Sequence, residues 1–92
     1  MAKRAEGESG SNPRLIAKYT MLVTVMLTGV AAHRIRRFEE CGLCRPVRIP
    51  SGHRLYSDTD IELIKEIAVL EGEGINLAGV KVILKMRRGR RE

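Results

Sequence analysis

Between Gly29 and Tyr56, the stretch GVAAHRIRRFEECGLCRPVRIPSGHRLY must hold a helix, a stop and a turn in that order. Few small folds accommodate that. With Ala31–Cys41 wound as a helix, Ala31, Ile35 and Phe38 fall in one narrow arc, while His33, Arg36, Arg37 and Glu40 spread over the opposite side. Gly42 follows the last turn, where a glycine closes a helix in the left-handed conformation, and Leu43 is expected to pack back beneath it. From Val47 to Tyr56, two short runs flank Pro50, Ser51 and Gly52, the pattern of a hairpin. Alternation predicts that Val47, Ile49 and Leu55 are buried and that Arg48 and Arg54 point away from them. Arginines on a helix and on an adjoining hairpin can meet a helical polyanion at two places, which suits a groove flanked by phosphates, so this stretch reads as the part that touches DNA. A solvated basic face is the plainer alternative.

The distribution of charge favours the first reading. The net charge of +6 divides into +2 over residues 1–30, +4 over 31–56, −5 over 57–74 and +5 over 75–92. A solubilising charge needs no acidic block between two basic ones, whereas a protein with one face on DNA and one turned away produces that layout. The chain has 92 residues with no Trp and one Phe, so a single domain with a thin aliphatic core is expected. No stretch approaches the roughly 18 apolar residues of a membrane span, and Lys3, Arg4, Glu6 and Glu8 make a poor secretion signal. The expected location is the cytoplasm, on the nucleoid.

Residues 1–18 read as a flexible basic tail, since the first 14 offer almost nothing to bury. Leu15–Thr28 is ambiguous. Tyr19, Thr20, Val23, Thr24 and Val25 favour a strand, but a tight turn at Thr28–Val30 leading into the basic helix implies a helix-turn-helix. The expectation is an extended segment at Tyr19–Met21 and then a small buried helix to about Thr28. After Tyr56, Ser57 caps a helix with Asp58 and Asp60 in its first turn, and Ile61, Ile64, Ile67 and Leu70 form its apolar stripe. Gly72 and Gly74 should end it. Asn76 caps a last helix with Leu77, Val80, Ile83 and Leu84 inward, running to about Met86 and leaving 87–92 as a basic tail. Met86 and its apolar neighbours could also serve a dimer contact.

Catalysis finds little support. There is no Gly-rich phosphate loop, nucleophile elbow or His-Glu helical pair, and Glu39 with Glu40, or Asp58 with Asp60, read as surface and capping carboxylates. Cys41 and Cys44 offer half a tetrahedral metal site, but no second pair exists, so reduced thiols with no metal and no cofactor are expected.

In order and identity, these residues resemble the DNA-binding domain of the MerR family of bacterial transcription regulators over Tyr19–Leu84. The matching positions are Gly29 and Val30; Arg36, Phe38 and Glu39; Gly42 and Leu43; Pro46; Gly52, Arg54, Tyr56 and Ser57; Asp60; and Gly74 and Leu77. The segment GINLAGVKVIL is most similar to the heat-shock repressor branch, HspR, which implies control of chaperone genes.

The resemblance implies a mainly α, winged helix-turn-helix fold over 19–86, with a two-stranded wing at 47–56 and two further helices. It implies a sequence-specific regulator, not an enzyme. The helix from Ala31 would enter the major groove of double-stranded DNA, presenting His33, Arg34, Arg36 and Arg37. Arg48, Arg54 and Tyr56 on the wing would hold the backbone. Phe38 stands where the family often has Tyr, so a hydroxyl able to meet a phosphate is missing. The first helix is more apolar than the family pattern. The chain also stops near the point where members extend a long dimerisation helix and an effector domain, so a homodimer is an open expectation and no small-molecule effector is evident. Two rivals are a chaperone-modulator-like module that binds protein, as in CbpM, and an excisionase-like factor that bends DNA.

Overall fold

The structure, a computed structural model, describes residues 12–91. Most of the expected N-terminal tail lies outside the described residues. Helices α1 (Met21–Thr28), α2 (Ala32–Glu40), α3 (Asp58–Gly72) and α4 (Leu77–Arg91) build the domain, and β1 (Val47–Arg48) with β2 (Arg54–Leu55) forms an antiparallel wing. This is the mainly helical, winged helix-turn-helix architecture expected.

The start of α3 is encoded locally. Ser57 Oγ accepts the Asp60 N–H at 3.1 Å, and the Asp60 carboxylate accepts the Ser57 N–H at 2.9 Å, a reciprocal capping box. Ile61, Ile64, Ile67 and Leu70 then turn inward and are buried, joining Ile35 and Phe38 of α2 and Leu77, Val80 and Leu84 of α4 in a single core. The helix ends at Gly74, whose φ of +92° suits only glycine without strain; its N–H bonds the Glu71 carbonyl, and the Ile75 N–H bonds that of Leu70. Gly72, expected to share in the stop, is instead part of the last turn.

Two expectations about the helices are corrected. Helix α4 does not end near Met86 but continues to Arg91. Arg87 ion-pairs with Glu66 of α3, which ties this added length to the body, and arginine-rich sequence is compatible with helix. Helix α1 is helical as read from context, yet it is not buried. Thr24 alone is fully enclosed, while Leu22 and Met26 are 70% and 74% exposed. Eight residues packed on one side against α2 and α3 have, among the described residues, no second neighbour to cover the other face.

The segment before α1 is tied to the start of α3. The Tyr19 and Tyr56 backbones exchange hydrogen bonds of 2.9 and 2.7 Å, the Lys18 N–H also bonds the Tyr56 carbonyl, and the Thr59 hydroxyl donates to the Arg14 carbonyl. Side chains reinforce this: the Tyr19 hydroxyl donates to Asp58 Oδ1 at 2.5 Å, and Lys18 Nζ stands 3.2 Å from Oδ2. The Tyr19 hydroxyl first, and Lys18 second, hold the Asp58 carboxyl below its ordinary pKa. A carboxyl depressed in the folded state adds stability above its unfolded pKa and loses it as pH falls through the folded value. Tyr19→Phe is therefore expected to raise the Asp58 pKa and shift this acid-side loss to higher pH. An NMR titration of the Asp58 carboxyl that is unchanged in the variant would rule this out.

Candidate nucleic-acid interface

Helix α2 carries the central part of the candidate interface, and its two faces diverge sharply. Ile35 and Phe38 are 0% and 1% exposed, whereas His33, Arg36, Arg37 and Glu40 lie on the surface. Its C-terminus closes at Gly42 (φ +77°), where the Gly42 N–H bonds the Glu39 carbonyl and the Leu43 N–H bonds that of Phe38. Leu43 is buried beneath it, as expected. At the other end, Gly29 and the buried Val30 make the turn from α1.

The wing follows the expected hairpin but faces the other way. Val47 pairs with Leu55 and Arg48 with Arg54, and the turn closes with the Gly52 N–H on the Ile49 carbonyl at 2.8 Å. Val47, at 54% exposure, is turned to solvent instead of buried, and Ile49 is also exposed. The arginine face is the one directed at the body. Arg54 Nε lies 2.5 Å from Glu39 Oε1, and Arg48 Nη2 lies 3.1 Å from Glu39 Oε2. Strands of two residues are too short to bury an apolar face, and two arginines directly opposite each other repel unless a counter-charge sits between them. Glu39 provides that counter-charge from α2, and its hydrogen bond pushes the Arg54 pKa above the ordinary guanidinium value. Glu39 had been expected only as a solvated carboxylate; its recurrence among the family-pattern residues was the one available signal.

The seven residues named from sequence therefore divide into distinct groups. His33, Arg36 and Arg37 are exposed, and among the described residues none has an ion-pair partner. Arg48 is paired but half exposed, and its Nη1 also donates to the Gly52 carbonyl at 3.3 Å. Arg54 is largely enclosed by its pairing with Glu39. Arg34 points elsewhere: its Nη2 meets Glu71 of α3 at 2.7 Å and its guanidinium lies 5.8 Å from the Phe38 ring centroid, so it braces α2 against α3. Tyr56 is corrected outright. It is 0% exposed, its hydroxyl reaches only toward Met21 Sδ at 3.9 Å, and burial pushes its pKa up to about 12, so it cannot meet a phosphate.

Between the wing and the start of α1 lies a cleft of about 380 Å³, with Thr20, Arg36, Ile49, His53 and Arg54 among its walls. The His53 ring is 2.7 Å from the Ser51 hydroxyl at the wing tip. The two thiols differ: Cys41 is exposed, whereas Cys44 is buried and burial raises its pKa to about 12. Among the described residues, no three His, Cys, Asp or Glu side chains are grouped to hold a metal. Thiol labelling at pH 8 is expected to modify Cys41 quickly and Cys44 only on unfolding. Equal labelling rates in the folded protein would contradict this placement. No described helix is long and apolar enough to cross a membrane.

The comparisons with known proteins agree with this geometry. The profile described as MerR HTH family regulatory protein matches residues 19–87. The HTH-type transcriptional regulator GlnR of Bacillus anthracis is 36% identical over 70 residues, covering 76% of this chain and 54% of the relative. The protein named HspR of Streptomyces coelicolor is 38% identical over 69 residues, covering 74% of this chain and 46% of the relative. The chain thus spans about half the length of these relatives. In fold it is similar to HiNmlR, a MerR family regulator lacking the sensor domain and solved bound to promoter DNA, with a TM-score of 0.69 at 23% identity over 75% of this chain and 53% of that one. With that profile covering most of the sequence, the chain belongs to the MerR HTH family of regulatory proteins.

Proposed function

We propose that residues 19–86 form a DNA-binding unit that recognises promoter or operator DNA and regulates transcription, with no catalytic step. The observation that carries this reading is the set His33, Arg36 and Arg37 on the outward face of α2, unpaired among the described residues, beside a wing whose two arginines share a single carboxylate. Helix α2 enters the major groove, where arginine reads guanine edges and anchors phosphates. The wing keeps a net positive charge after its pairing with Glu39 and follows the neighbouring backbone. HiNmlR bound to promoter DNA and the regulator names of the relatives support the same assignment. A homodimer would bring two such units to one site, with the exposed Val82 and Met86, four residues apart on α4, as the apolar contact.

Fluorescence anisotropy with the protein's own upstream DNA and with scrambled DNA, over a range of salt concentrations, tests this. If Arg36, Arg37 and Arg48 each neutralise one phosphate, log affinity falls with log salt at a slope of about −2.7 per protomer. Tighter binding to its own upstream DNA is the expected result. Equal binding to both DNAs would indicate the excisionase-like architectural role. No binding at low salt would end the DNA reading and favour a protein partner on α1, where Leu22 and Met26 are exposed.

A further inference from the structure

A second group of unpaired cations lies away from the α2–wing face. A trough of about 250 Å³ opens where the loop after α2 passes α4, with Gly42 and Leu43 on its floor and Arg45, Lys81, Lys85 and Arg88 around it. Lys81, Lys85 and Arg88 are spaced by four and three residues, so they form one stripe on α4, and Arg45 faces them from the loop. All four are exposed, and among the described residues none is ion-paired. By contrast, Lys18, Arg34, Arg48, Arg54, Lys65 and Arg87 all stand against carboxylates.

Four like charges converging on one concavity repel each other unless an anion sits among them. One acid, Asp60, lines an adjoining hollow together with Arg45 and Arg88, but its carboxylate is held by the Ser57 N–H at 2.9 Å. Lys81 also leans over the C-terminal end of α2, with Nζ 3.3 Å from where a Gly42 side chain would begin. The trough and the α2–wing cleft share no lining residue.

We propose that this trough is a phosphate-binding site, separate from the face assigned to base reading. Arginine forks on two sides match phosphate oxygens bidentately, and the two lysines add point charges. The cavity is smaller than the roughly 300–1,000 Å³ of pockets for drug-sized molecules, so it suits a phosphate or diphosphate group and not a large organic ligand. The phosphate belongs either to the backbone of a duplex or to a free phosphate ester. The pyrophosphate arm of the test does not depend on the DNA-binding function proposed above, whereas the duplex arm rests on that reading.

The test is a titration of the ¹⁵N-labelled full chain with inorganic pyrophosphate, followed by amide shifts. Saturable shifts at Gly42 and Leu43 are expected. Lys85→Gln with Arg88→Gln should weaken them about tenfold or more, as expected for lost charge-assisted hydrogen bonds. Arg87→Gln, which removes charge from the same helix outside the trough, should leave them unchanged. Shifts absent from Gly42 and Leu43, or weakened equally by Arg87→Gln, would overturn the proposal. Given the expected shifts, the salt slope for duplex binding identifies the source. A slope shallower by about 1.8 in the Lys85→Gln, Arg88→Gln variant assigns the site to backbone phosphates, and an unchanged slope assigns it to a free phosphate ester.

Discussion

Phe38→Ala is expected to remove a large share of the stability of this domain. Phe38 is the only phenylalanine in a chain without tryptophan, it is 1% exposed, and it sits where α2 packs into the core. Truncating a buried Phe costs about 3–5 kcal/mol through lost burial and the cavity left behind. A domain of this size has a total stability of roughly 5–14 kcal/mol. The midpoint of thermal unfolding should fall by about 12–40 °C, since each kcal/mol shifts a small domain by roughly 4–8 °C. Functionally the loss is direct, because the residue that anchors the inner face of α2 lies on the same short helix as Arg36 and Arg37. Thermal and urea unfolding followed by circular dichroism measure it. A change below about 1 kcal/mol would mean that the α2–core contact is not as described.

Glu39→Ala separates two accounts of the wing by the sign of its effect. Counted as charge alone, removing a carboxylate from a basic face should strengthen DNA binding. The geometry predicts the opposite. Glu39 holds Arg54 at 2.5 Å and Arg48 at 3.1 Å, so its loss leaves two cross-strand arginines facing each other without a counter-charge on a wing of two-residue strands. The wing then loses the position from which Arg48 is proposed to meet the backbone, and ordering it must be offset from binding energy. DNA affinity should fall about tenfold despite the more positive net charge, as loss of pre-organisation requires. Glu39→Gln, which keeps the shape and one acceptor, should fall between the two. Tighter binding by Glu39→Ala would mean that the carboxylate competes with phosphates for these arginines instead of positioning them.

Much of the fold is legible in short stretches of sequence. The Ser57 cap with Asp60, the isoleucine stripe of α3, the close of α2 at Gly42, and the Pro50–Gly52 turn each depend on residues within one or two helical turns of each other. The family pattern is built from those same local signals. The site was less legible. His33, Arg36 and Arg37 could be placed on an outward face from helical period alone, whereas Arg34, only two residues from Arg36, is captured by Glu71 from the far end of α3. Tyr56 looked like the end of a basic wing, but the bridge to Tyr19 and the closing core enclose it completely.

The sequence by itself determined where α2 closes, where α3 begins and which faces of α2, α3 and α4 are apolar, because caps, glycine stops and periodicity act between near neighbours. Only the tertiary structure decided which cations remain free. Glu39 reaches Arg54 across 15 positions, Arg34 reaches Glu71 across 37, and Tyr19 reaches Asp58 across 39. Local patterning carries no information on such pairings, because an arginine's charge is the same whether it meets a carboxylate or water. The exposure of α1 was decided the same way. Its apolar residues alone do not say whether a neighbour covers them, and among the described residues none covers Leu22 or Met26.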